Sequence, residues 1–123
     1  MNSFIGILFR QSVSANAERV FDYSMVYRVV EQILNICDPK LIFLFGSAAR
    51  GTAKYGSDID LLVVMDTDKK PMHRGIDILN SLDVDTTVDL IVMTPIEFET
   101  YSKDPNSFTG HILESAKLLY GIL

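Results

Sequence analysis

The sequence predicts an α/β domain in which a small mixed β-sheet is flanked by helices. Three observations carry that expectation. Leu41–Phe45 (LIFLF), Asp58–Met65 (DIDLLVVM) and Thr87–Met93 (TVDLIVM) are short apolar runs of strand length. Stretches of helical period separate and flank them, the alternation that builds a sheet covered by helices. The chain has 123 residues with 48% hydrophobic and 22% charged residues, enough for one core without disulfide staples.

In chain order, Asn16 can cap a helix from about Ala17 to Cys37, with Glu18 in its first turn complementing the dipole. Val26, Val30, Ile33 and Cys37 form its buried stripe, and Asp38-Pro39 ends it. After the first strand, "SAARGTA" has room only for a short helix or turn before Gly51 and Tyr55-Gly56-Ser57 break it. Polar residues and Pro71 follow the second strand and lead into a helix over about Met72–Leu82. Thr94 and Pro95 suit the cap and first position of a further helix. A last helix is expected from about Ser107, with Ile112, Leu113, Ala116, Leu119 and Tyr120 on one face. The early apolar run "FIGILF" fits an edge strand, a docking arm or a helix start. It is far short of the roughly 20 apolar residues that span a bilayer, and no basic segment precedes it.

Composition narrows the function. A net charge of −5 argues against a broad nucleic-acid or membrane-surface footprint, which needs clustered Lys and Arg. Cys37 is the single cysteine, so no intramolecular disulfide forms and a reducing cytoplasm is the expected location. Its simplest role is that of a small buried hydrophobe at a helix end.

The chemistry centres on "FLFGSAARGTAKYGSDIDLLVV" (Phe43–Val64). Side chains alternate faces along a strand, so Asp58 and Asp60 share a face about 6–7 Å apart. Two aligned carboxylates on the lip of a core raise each other's pKa unless a cation lies between them. Mg²⁺ suits that role, because it takes oxygen ligands and keeps positions for water and phosphate. A lone Asp-x-Asp is more simply a solvated turn and strand end. Here Gly46-Ser47 follows the preceding strand at a turn, where backbone can approach a phosphate. Asp89 interrupts the apolar "VDLIV" of the third strand. A third acid on the same face completes a site able to hold two metal ions about 3.5–4 Å apart. Asp85 rivals Asp89 for that place but sits in the polar approach to the strand. The P-loop pattern fails, since Thr52-Ala53 stands where Lys-[Ser/Thr] is required.

"GSAARGTAKYGSDID", with "VDLIV" and the C-terminal "ILESAKLLYG", resembles the DNA polymerase β-like nucleotidyltransferase superfamily, and within it the minimal nucleotidyltransferases. The resemblance runs from about Glu18 to the end. It implies a polymerase β-like core over residues 17–123 and an extension over 1–16. It also implies that Gly46 and Ser47 hold the nucleotide triphosphate and that Asp58, Asp60 and Asp89 are catalytic metal ligands, Asp89 on the acceptor side. Arg50 would touch phosphate or brace the loop; an exposed helix arginine or a structural salt bridge explains it equally well. The activity implied is Mg²⁺-dependent transfer of a nucleoside monophosphate, AMP from ATP first, to a hydroxyl. The acceptor implied is a tyrosine of a helical HEPN-domain toxin, with this chain as antitoxin. A non-catalytic binding antitoxin and an aminoglycoside-type small-molecule nucleotidyltransferase are the alternatives, and homo-oligomerisation stays open. His73, His111 and the tyrosines Tyr23, Tyr27 and Tyr120 read as surface or helix-packing residues.

Overall fold

A computed structural model describes residues 20–123. The expected Asn16 cap, Glu18 and the "FIGILF" run lie outside the described residues. Among the described residues the first helix, α1, spans Ser24–Ile36, and residues 20–23 ahead of it are not helical, so the helix expected over Ala17–Cys37 is not continuous. Over the described residues its start is delayed because Asp22 takes both the backbone N–H and the hydroxyl of Ser24, at 2.9 and 2.6 Å, which fixes a turn before the first helical residue. Val26, Val29, Val30 and Ile33 make its buried stripe. Cys37 caps the far end half-buried, its thiol against the Ile33 carbonyl at 3.3 Å. Burial pushes that thiol's pKa up, and the neighbouring Asp38 charge adds to it.

Among the described residues the sheet has four strands in the order β3-β2-β1-β4. Strand β1 (Leu41–Phe45) is buried along its whole length, as its unbroken apolar run requires. Helix α2 (Gly46–Arg50) follows at once, then β2 (Ile59–Val64), antiparallel to β1. Strand β3 (Val88–Met93) runs parallel to β2. The helix expected over Met72–Leu82 is broken: a 3-10 turn covers Pro71–His73 and α3 only Ile76–Ser81. Gly75 between them adopts φ +80°, which cannot continue a right-handed helix.

Helices α4 (Pro95–Ser102) and α5 (Phe108–Leu113) cover one sheet face, where Phe43, Leu62 and Val64 are buried. Helices α1 and α3 contribute Ile33 and Ile78 to the core on the other face, with Ile42, Leu61 and Val63. The expected long last helix is corrected: α5 stops at Leu113, and Lys117–Tyr120 forms strand β4 against β1. The free edge of β1 offers unpaired backbone groups, and satisfying them outweighs the helical spacing of these apolar residues.

Thr94 caps α4 in a full capping box with Glu97, and Pro95 takes the first turn. The Glu97 carboxylate also accepts from Arg74 Nη1 at 2.6 Å, tying the β2–β3 crossover to α4; the Arg74 side chain is only 10% exposed. Arg74, and then the Thr94 backbone, hold the Glu97 carboxyl below its ordinary value. The resulting stability is present above that ordinary value and is lost as pH falls through the lower, folded one. Glu97→Ala should therefore cost about 1.5–3 kcal/mol near neutrality, through loss of a charge-assisted bond and a cap, and progressively less as pH falls below the ordinary carboxyl range. Urea unfolding over that pH range measures the difference.

Candidate active site

The antiparallel turn from β1 to β2 brings Gly46 and the start of β2 to one end of the sheet, and the parallel pairing adds the start of β3. Register sets the rest: Phe45 pairs with Asp60, and Asp60 with Asp89. In parallel strands such partners lie side by side on the same face. That face continues through Leu62, Val64, Ile91 and Met93 into the core beneath α4 and α5. The two carboxyls thus sit side by side where an apolar face meets solvent.

This placement has an electrostatic consequence. Desolvation first, then the Asp89 charge and hydrogen bond, then the Asp58 charge, push the Asp60 carboxyl up to about 6. The Arg50 guanidinium pulls it the other way. Asp58 stands one residue before β2, exposed, so it repels Asp60 from the lip and not from within the strand. Asp85 lies on the exposed approach to β3, four residues before Asp89, and Asp89 is the acid in register with Asp60.

Gly46 is the other half of the arrangement. It adopts φ +71°, and a Cβ there would overlap Asp60 Oδ2 and stand 3.0 Å from its Cγ. The absence of a side chain lets the Asp60 carboxyl lie against the turn. Ser47 follows half-buried, and Ala48 and Ala49 anchor α2 in the core. Arg50 is exposed in the last turn of α2. One contact carries no signal in the local sequence: the Tyr23 hydroxyl donates to the Ala48 carbonyl at 3.0 Å across 25 residues. His73 is exposed, and exposed His111 stands 3.9 Å from the Glu114 carboxylate on its own helix.

The donor set fits a divalent cation. Asp60 and Asp89 present adjoining hard-oxygen donors whose mutual repulsion a cation would relieve, and Mg²⁺ commonly binds one or two carboxylates plus water and substrate phosphate. Among the described residues, no group of three or more His, Cys, Asp or Glu side chains forms a ready-made metal cage.

Residues 29–122 match the family described as Polymerase beta, Nucleotidyltransferase, and the chain belongs to that family. Solved structures share the fold. A Sulfolobus solfataricus protein assigned as a nucleotidyltransferase has a TM-score of 0.57 at 22% identity, over 80% of this chain and 78% of that one. A toxin–antitoxin structure with AMP-PNP has a TM-score of 0.52 at 22% identity, over 83% and 75%. A mutant form of the MntA-HpeT toxin–antitoxin reaches 0.50 at 22% identity, over 83% and 74%. No curated protein matches the chain. Among the described residues, no helix is long and apolar enough to cross a membrane.

Proposed function

We propose that this protein is a Mg²⁺-dependent nucleotidyltransferase that moves AMP from ATP to a tyrosine hydroxyl of a helical HEPN-domain toxin and so acts as its antitoxin. The observation that carries the reading is the register pairing of Asp60 with Asp89 beside the Gly46-Ser47 turn. Family membership supports the transfer chemistry, and the likeness to two toxin–antitoxin structures, one holding an ATP analogue, supports the partner and the nucleotide.

In this reading Gly46 and Ser47 hold the triphosphate, and Arg50 balances its charge. Asp58, Asp60 and Asp89 would hold Mg²⁺, which when bound supplies charge stabilisation at the phosphates and lowers the pKa of the acceptor hydroxyl. Asp89 accepts the hydroxyl proton on its carboxylate. The freed oxygen bonds to the α-phosphorus, the bond to the oxygen bridging α and β breaks, and pyrophosphate leaves. The domain is assigned to residues 17–123, with 1–16 as an extension, and the lone cysteine supports a cytoplasmic location.

The test is co-expression with the proposed HEPN-domain toxin, followed by intact-mass measurement of that partner. Whole AMP increments on the partner, removed by changing its tyrosine to Phe, are the expected result. A partner that stays unmodified yet is fully neutralised would replace catalysis with inhibition by binding.

A further inference from the structure

We infer that Tyr23 is a positioning residue for the nucleotide: its hydroxyl pins the short helix α2 that carries Gly46, Ser47 and Arg50. The inference rests on the nucleotidyltransferase reading above. Helix α2 has five residues, too few to be stable or fixed in place by its own hydrogen bonds. Its C-terminal end is closed locally, since the Ser47 carbonyl accepts from the Gly51 and Thr52 N–H groups, the latter at 3.0 Å. The Ala48 carbonyl instead accepts from the Tyr23 hydroxyl at 3.0 Å.

The core side of α2 offers only the methyl groups of Ala48 and Ala49, 2% and 4% exposed. Burial of two methyls is non-directional and resists sliding or rotation weakly, whereas a hydrogen bond fixes both distance and direction. Tyr23 is itself held. Its ring meets that of Phe21 edge-on with centroids 4.8 Å apart, and Phe21 is buried at 8% exposure. Asp22 fixes the turn between them and α1 by accepting twice from Ser24. A rigid path therefore runs from the Phe21 anchor through the Tyr23 hydroxyl to the backbone of α2. Since Gly46 is fitted against the Asp60 carboxyl, a small rotation of α2 misplaces Ser47 and Asp60 together.

Tyr23→Phe removes the hydroxyl and keeps the ring. With Mg²⁺ present, calorimetric ATP affinity should fall about three- to tenfold, the equivalent of one neutral hydrogen bond, with the melting temperature lowered by only a few degrees. Amide hydrogen exchange should quicken over residues 47–52 and stay as in wild type over β1 and β2. Tyr27→Phe, one turn further along α1 and 65% exposed, serves as the control and should bind ATP as wild type does. Equal ATP affinity in wild type and Tyr23→Phe would overturn the inference, as would equal weakening by Tyr27→Phe. Unchanged exchange over 47–52 would overturn it even if affinity fell. A wild type that binds no ATP would reject the nucleotidyltransferase reading itself, an outcome distinct from equal binding by both proteins.

Discussion

Asp89→Asn should reduce transfer by about 10²–10⁴-fold or more while making the metal-free protein more stable at neutral pH. The first effect follows from loss of the proton acceptor beside Asp60. The second follows from charge. Asp60 is raised to about 6 from its ordinary value of 3.8, so between those values the folded state holds protons the unfolded state releases. Stability contributed by the site therefore falls as pH rises through that window, and the full repulsive cost is present above it. Removing the Asp89 charge relieves that cost at pH 7.5 and almost none of it at pH 4, where Asp60 is largely protonated. Thermal melts of both proteins at the two pH values read the difference directly. Addition of Mg²⁺ should raise the melting temperature of the wild type more than that of the variant. A variant that retains transfer, or is less stable than wild type at pH 7.5, contradicts the paired-acid account.

Gly46→Ala should abolish nucleotide binding, and Gly51→Ala should not. Both glycines have positive φ, +71° and +78°, so an alanine at either costs about 1–2 kcal/mol of backbone strain. Only at Gly46 does the added methyl also meet the Asp60 carboxyl; nothing lies within 4 Å of a Cβ at Gly51. To make room, Asp60 must turn away from Asp89, which dismantles the pair. Comparable melting temperatures with ATP binding lost only in Gly46→Ala is the expected outcome. Equal ATP affinities for the two variants would show that the close approach of Gly46 to Asp60 has no functional weight.

What could be read from the sequence follows the range of the interactions involved. Thr94, Pro95 and Glu97 form a cap through contacts within one turn, so the start of α4 was legible from Thr94 and Pro95 alone, and Glu97 completes it. The three core strands were legible because their apolar runs are short and bounded by turn residues. Strand β4 was not: the spacing of its leucines serves a helix equally well, and the free edge of β1 that decides the matter is more than 70 residues away. Asp60 and Asp89 were legible as polar interruptions of strands, although their adjacency needed the register. The start of α1, the Arg74–Glu97 tie and the Tyr23–Ala48 bond depend on particular side-chain placements that periodicity does not encode.

The in-register pairing of β2 with β3 from Ile59–Val88 to Val64–Met93 works as a ruler built into the backbone. A slip of one residue would turn Asp89 to the opposite face, and a slip of two would carry it about 6–7 Å along the strand. The spacing of the acids is thus a property of the peptide ladder and not of the long crossover that joins the strands. That crossover, residues 65–87, can lengthen, shorten or change composition without detuning the chemistry, provided the ladder closes in the same register. Variation in such a family should therefore collect in the exposed parts of the crossover, away from buried Ile78 and the Arg74–Glu97 tie.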